Sequence, residues 1–247
     1  MTRSLRPSPV RPAFTILVLA DSPPAMRRTD LETPVARREA LISLARATFA
    51  VGGSIAVPLD VDVAPLLGTL ALDYLQPRAA EVRGEPPIPR VIVMETQLRS
   101  EPARRLFAPL AARGGIRFVD QRGEDVVLEA SDEAEIWGLS DVARHMVTHS
   151  MVQVVRPTFA VLINPDRRVI DEVSILREAN VPTFNFGEDE ETGASFIELG
   201  VVDPTGRLLA GTTRSPWAEE DLPRGARHPV PPYAYLMQRL IAEHIDL

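Results

Sequence analysis

The sequence predicts an α/β protein with a Rossmann-like, doubly wound, mainly parallel sheet, followed by a C-terminal β-hairpin and helix. Short continuous apolar segments, such as residues 159–163, are typical of strands buried on both faces of a sheet. They alternate with longer segments whose apolar residues recur at the spacing of one helical face, as in residues 37–51. This alternation predicts parallel pairing, because each helix carries the chain back to the start of the next strand.

The elements follow one another in a regular order. Strands are predicted at residues 14–20, 54–59, 90–95, 116–119, 159–163 and 183–186. Helices are predicted at residues 37–51, 62–75, 101–112, 134–155 and 169–179. After residue 195 the pattern changes: segments 196–202 and 207–212 flank an Asp-Pro-Thr-Gly turn and predict the hairpin, and residues 233–245 predict an amphipathic helix.

The length and composition indicate one domain. The chain has 247 residues, 45% of them hydrophobic, which is enough for one large core over residues 14–247, and residues 1–13 read as a flexible N-terminal arm. The arm lacks the apolar core of a secretory signal, and the chain has no apolar run of about 18 residues that would span a membrane. We therefore expect a cytoplasmic protein.

The charged residues limit the chemistry. There are 34 acidic and 27 basic residues, giving a formal charge of −7. This balance disfavours nucleic acid and anionic membranes as partners, because both require a positive surface. Every fixed cation is an arginine and there is no cysteine, which excludes Schiff-base lysines, thiolate catalysis and cysteine-ligated metals.

The segment from Phe159 to Glu172 locates a candidate site. A buried-type strand breaks into the polar turn Asn164-Pro165-Asp166-Arg167-Arg168, and a helix carrying Asp171 and Glu172 follows. Anionic ligands often bind at such a corner, where backbone N–H groups face outward. A phosphate cradle normally contains glycine, and none occurs between Asn164 and Glu172.

Several segments in order carry a resemblance to a known family. They are Asp21-Ser22 after the first strand, Arg37-Arg38, the junction 52–57, Pro65-Leu66-Leu67, the helix around 144–151, Asp171-Glu172, Gly187 and Thr192-Gly193-Ala194-Ser195. Over roughly residues 14–195 this order resembles the SLOG superfamily. That Rossmann-like family includes the phosphoribohydrolases that carry the name lysine decarboxylase, and the nucleotide-sensing domains of ion channels and bacterial defence proteins.

The resemblance implies a non-catalytic module that senses a nucleotide derivative, such as ADP-ribose or a cyclic nucleotide, or that serves as an interaction subunit in a defence or signalling system. Two departures favour binding over catalysis. Pro58-Leu59-Asp60 stands where the family has a glycine pair, and residues 164–168 stand where it has a glycine-rich phosphate loop. The alternative is a phosphoribohydrolase-like nucleotide N-glycosidase with Glu172 as acid or base. A third possibility is a structural protein whose pocket has closed.

The candidate ligand-binding residues share a position at strand ends or helix starts in this reading. They are Asp21, Ser22, Arg38, His149, Asn164, Arg167, Glu172, Gly187 and Thr192. Simpler interpretations stand beside them: acidic residues early in a helix complement its dipole, and exposed arginines and loop carboxylates are commonly solvated. His145 and His149 have a metal-binding spacing, but no glutamate completes a zinc-protease motif, so we expect neither a metal nor a cofactor.

The C-terminal helix raises the question of partners. It offers Tyr233, Tyr235, Leu236, Met237 and Leu240, more apolar surface than one packing face requires. A homo-oligomer or a protein partner is therefore expected, although the helix could equally be used by its own core.

Overall fold

A computed structural model of the chain describes ten stretches of residues, and for residues 32–37, 101–106, 141–145, 233 and 235 it describes the backbone alone. The stretches are 14–20, 32–58, 63–74, 91–94, 101–120, 122–125, 141–163, 169–186, 200–201 and 233–245.

Within the described residues, six strands form one parallel sheet. They are β1 (Thr15–Ala20), β2 (Ser54–Pro58), β3 (Val91–Met94), β4 (Ile116–Val119), β5 (Phe159–Ile163) and β6 (Thr183–Asn185). Their order across the sheet is β4-β3-β2-β1-β5-β6, and each neighbouring pair runs parallel. Their side chains are apolar and buried almost throughout, as expected where both faces of a parallel sheet are covered.

Helices cover both faces of the sheet. They are α1 (Glu32–Ala50), α2 (Val63–Tyr74), α3 (Glu101–Ala112), α4 (Asp141–Val155), α5 (Val169–Glu178) and α6 (Tyr233–His244). Side chains from α1, α2, α3 and α6 share one core with Ile16 and Val18 of β1. Side chains from α4 and α5 share the second core with Leu17 and Leu19, the residues that alternate with those two. The result is a three-layer α/β/α arrangement, and within the described residues no helix is long and apolar enough to cross a bilayer.

The predicted Rossmann-like α/β fold is confirmed, including its parallel sheet and C-terminal helix. The largest difference is at α1, which begins at Glu32 rather than at residue 37. Pro34 lies in its first turn, where a missing backbone N–H breaks no helical hydrogen bond. Residues 134–140, the hairpin at 196–212 and the arm at 1–13 lie outside the described residues, apart from Gly200 and Val201.

Among the described helix ends, two carry a non-glycine residue with positive φ. Gly52 (φ 84°) and Gly114 (φ 78°) follow α1 and α3, but Arg156 (φ 51°) and Asn180 (φ 56°) stand in the corresponding places after α4 and α5. Asparagine tolerates this conformation, whereas for other side chains with a Cβ it costs roughly 1–2 kcal/mol of folding free energy. The interaction of a cation with the helix dipole at a C-terminus stabilises by about 0.3–1 kcal/mol. Glycine would therefore fold at lower cost than Arg156.

Candidate functional site

The carboxyl ends of β1 and β5 form the topological switch point of the sheet. These strands are neighbours, with Ala20 in register with Ile163. The helix after β1 packs on one face and the helix after β5 packs on the other, so the two connections diverge from adjacent strands. In open α/β sheets the crevice at this divergence is where ligands bind. The candidate site therefore lies at the carboxyl edge between β1 and β5.

Most of the predicted ligand residues belong to connections that leave this edge. Asp21 and Ser22 directly follow β1, and Asn164 and Arg167 follow β5 in the chain. These four residues, with Gly187 and Thr192 after β6, lie outside the described residues. Their assignment to a ligand site stays a prediction.

Glu172 is buried between α4 and α5. It lies in the first turn of α5, its side chain is 1% exposed, and Thr148 of α4 is fully buried beside it. The Oγ1 hydroxyl of Thr148 donates a hydrogen bond to Oε1 of Glu172 over 3.2 Å. The neighbouring Asp171 is exposed in the same turn, where its charge complements the helix dipole. The two adjacent acidic side chains therefore have different roles. Asp171 faces solvent, whereas Glu172 joins α5 to α4.

Arg38 and His149 are not brought to Glu172. Arg38 is exposed on α1, which covers the opposite face of the sheet from α5. His149 is exposed on α4, and its Nε2 atom lies 3.3 Å from Nε2 of Gln153. The side chain of His145 is outside the described set, so the histidine pair is untested. Among the residues described, no three metal-ligating side chains come together.

Thr148 is a polar residue that the sequence interpretation missed. It lies in the buried stripe of α4 that includes Val147, Met151 and Val152. Glu172 likewise interrupts the buried stripe of Val169, Val173 and Leu176 on α5. A polar residue at an inward position on each of two consecutive helices was the available signal, because buried polar groups need a partner.

The loop after β4 adds negative charge to the carboxyl edge. Asp120 accepts hydrogen bonds from the backbone N–H groups of Glu124 (2.9 Å) and Arg122 (2.8 Å). The bond from Glu124 does most to hold the pKa of Asp120 below its ordinary value, and desolvation acts in the opposite direction. Asp125 pairs with Arg117 of β4. These bonds fix a carboxylate-bearing turn at the end of the outermost strand.

The fold and the switch point define a Rossmann-like α/β protein. No family model and no curated protein matches the chain. Among solved structures, it is similar to DNA processing protein A from Helicobacter pylori, which binds single-stranded DNA. The TM-score is 0.47 and the identity 10%, over 94% of this chain and 82% of that chain. At this identity the likeness concerns the fold.

This comparison corrects two predictions. The prediction that the protein senses a nucleotide derivative, in a defence or signalling system, is contradicted by this comparison, because the similar protein binds single-stranded DNA. The exclusion of nucleic acid as a partner is wrong for the same reason. That exclusion rested on net charge, which says nothing about how charges are distributed over the molecule. The prediction of an oligomer rested on the apolar surface of the C-terminal helix. Three of its residues, Leu236, Met237 and Leu240, are buried in the chain's own core and offer no surface to a partner.

Proposed function

We propose that the protein binds a small polar ligand at the carboxyl edge of its sheet, between β1 and β5. The reversal of strand order at these two neighbouring strands carries the proposal. Asp21, Ser22 and Asn164 would supply hydrogen-bonding side chains, since they follow the two strands directly. Glu172 would act from below as a positioning residue, because its carboxylate is committed to the α4–α5 interface.

Side chains, rather than a cradle of backbone amides, are proposed to hold the ligand. Pro165 has no N–H to donate, and the charge of Asp166 would repel a phosphate. The connections that leave the carboxyl ends of the strands, residues 21–31, 59–62, 95–100, 120–140, 164–168 and 186–232, contain 22 acidic residues against 10 arginines. A ligand with hydroxyl or amino groups suits such an edge better than a phosphate ester does, because it presents donors to carboxylates.

We further propose that the chain is a divergent relative of the SLOG superfamily. The order of elements supports this, since the opening strand and the junction at 52–57 fall where that family places them, although Arg37 and Arg38 lie within α1 rather than at its start. Gly187 and Thr192 would then face the ligand from the connection after β6. We expect an experimental structure to show this connection packed over the carboxyl ends of β1 and β5. A structure in which the connection leaves these ends uncovered would contradict the proposed relationship to the SLOG superfamily.

Thermal shift measurements test the ligand site. The probes are ribose, spermidine, a set of polar fragments and a single-stranded oligonucleotide. We expect at least one hydroxyl- or amine-bearing probe to raise the melting temperature, since a ligand at 100 times its Kd stabilises by about 2.7 kcal/mol. Asn164→Ala should abolish this shift.

The control is Gln153→Ala, which changes an exposed amide on α4 and should retain the shift. If the shift persists in Asn164→Ala, or if none of the hydroxyl- or amine-bearing probes produces one, the proposed site is wrong.

A further inference from the structure

The chain turns back on itself after β4. The backbone N–H of Gly123 donates to Asp120 O over 3.0 Å, and that of Asp120 donates to Glu124 O over 3.0 Å. Gly123 has a φ of 80°, the left-handed conformation of a glycine that closes a hairpin turn with a bulge. Asp125 then forms an antiparallel bridge with Val119. The residues after β4 therefore begin the second strand of a β-hairpin.

Side chains hold the start of this returning strand in the same register. Asp125 pairs with Arg117 of β4, which lies two residues before its bridge partner Val119. Residues two apart in a strand share one face, so this diagonal contact is the one that the bridge predicts. The turn also packs closely on α4, because a Cβ on Gly123 would approach Cγ1 of Val154 to 2.8 Å. Backbone and side chains thus direct the chain along the outer edge of β4.

The outer edge of β4 is buried, although β4 is the last strand of the described sheet. The N–H group of Asp120 points outward to the returning chain, and the backbone groups of Phe118, two residues earlier, point the same way. Phe118 is nevertheless only 3% exposed. A buried backbone N–H or C=O group needs a hydrogen-bond partner, so this edge requires a neighbouring segment.

We propose that residues 126–128 form a further strand, which runs antiparallel to β4 and closes this edge of the sheet against partner chains. The described chain reaches Asp125 already paired with Val119, so the residues that follow enter at the start of this edge. Residues 126–128 are Val-Val-Leu, an apolar and mainly β-branched segment that suits a strand.

The register of the proposed strand follows from the described pair. Val119 and Asp125 form a non-hydrogen-bonded pair, because the backbone bond between the residues next to them lies just outside it. Such pairs alternate with hydrogen-bonded ones along an antiparallel ladder. Phe118 therefore exchanges backbone hydrogen bonds with Val126, which gives the outward groups of Phe118 their partners.

A closed β4 edge governs self-association. An unpaired edge strand presents N–H and C=O groups on which another chain can add a strand. Without cover, β4 would be a strong template for a second copy of the chain, because its residues Ile116, Phe118 and Val119 are apolar. A strand supplied by the same chain removes this template. The inference is independent of the proposed ligand site.

Engineered disulfides test the strand directly, because the chain contains no cysteine. In the proposed register Arg117 and Val127 form the next non-hydrogen-bonded pair, with Cα atoms about 4.5 Å apart, a separation that a disulfide spans. The double variant Arg117→Cys, Val127→Cys should therefore lose both free thiols on mild oxidation of the full chain. Val119→Cys with Asp125→Cys, at the described bridge, is the positive control.

The register control is Arg117→Cys with Val126→Cys, which shares one substitution and shifts the other by one residue. Its two side chains lie on opposite faces of the sheet and should keep their thiols. The proposal is overturned if this variant oxidises as fully as the variant at 117 and 127. It is also overturned if the variant at 117 and 127 keeps its thiols where the pair at 119 and 125 loses them.

Proline substitutions test the protection of the edge. Val126→Pro removes an N–H group that bonds to β4, whereas Val127→Pro removes one that points away from it. Light scattering of the full chain should show a higher average mass for Val126→Pro than for the wild type at the same concentration, and the wild-type mass for Val127→Pro. Equal masses for the two variants, whether raised or not, contradict closure of the edge by this segment.

Discussion

Thr148 and Glu172 join α4 to α5 through a hydrogen bond of 3.2 Å between Oγ1 and Oε1, and both side chains are buried. A buried acidic side chain that loses a donor loses part of what offsets its desolvation. Thr148→Val keeps the shape of the side chain and removes only the hydroxyl. We expect it to lower the free energy of unfolding by about 1–3 kcal/mol, measured by urea denaturation.

The matched control is Thr69→Val on α2, whose hydroxyl donates to Pro65 O over 2.8 Å at an exposed position. Both substitutions are between β-branched residues in helices, so helix propensity cancels. The control should stay within about 0.5 kcal/mol of the wild type. Equal effects at the two positions would show that the buried hydroxyl has no special role.

The turn after β4 predicts a pH dependence. Hydrogen bonds from the backbone N–H groups of Glu124 and Arg122, together with the positive charge of Arg122, keep the pKa of Asp120 below its ordinary value. A carboxyl with a lower pKa in the folded state stabilises the fold above its unfolded pKa, about 3.9, and this contribution is lost as pH falls through the folded value. Asp120→Asn retains an acceptor oxygen but not the charge. It should be less stable than the wild type at pH 7, and the difference should shrink as pH falls below about 4 in urea titrations. A difference that stays constant over this range contradicts the explanation.

Close packing at the α1–β2 junction predicts a second stability effect. A Cβ on Gly53 would overlap the ring of Phe14 and approach Cγ2 of Thr48 to 2.8 Å. Gly53→Ala should therefore destabilise the protein by about 1–3 kcal/mol. Phe14→Leu in the same chain should recover part of the loss, and a double-mutant cycle measures the coupling. Strict additivity of the two substitutions would mean that the ring is not the obstacle.

The left-handed conformation at the end of α4 predicts a gain in stability. Arg156→Gly should raise the free energy of unfolding by up to about 1 kcal/mol, because it removes a Cβ from a backbone with φ of 51°. Asn180→Gly, at φ of 56°, is the comparison and should gain less, since asparagine tolerates this region. Thermal denaturation of the two variants measures the difference, and a destabilised Arg156→Gly would contradict it.

The fold could be predicted because local patterns agree with it along most of the chain. The continuous apolar runs of β1 and β5 identify buried parallel strands, and the amphipathic helices between them require crossovers. The strand order β4-β3-β2-β1-β5-β6 could not be predicted from the sequence, because it depends on contacts between segments that are distant along the chain. The sequence places the start of α1 too late because its apolar spacing becomes regular only after residue 37, whereas the helix begins at Glu32 and tolerates Pro34 in its first turn.

The site could be predicted only in part. The place of Glu172 after β5 makes it a candidate, but its burial was not foreseen, because acidic residues early in a helix usually face solvent. Its partner Thr148 is 24 residues away on another helix, so no local pattern joins them. Net charge could not decide the question of partners, because it says nothing about how charges are distributed over the molecule.

Backbone amide NMR spectra recorded during titration with polar fragments test the central claim most directly. The account predicts that bound fragments shift the amide signals of Ala20 and Ile163, the last residues of β1 and β5, more than those at the strand starts Thr15 and Phe159. Fragments that bind without moving the signals at the carboxyl ends of these two strands would contradict the assignment of the ligand site.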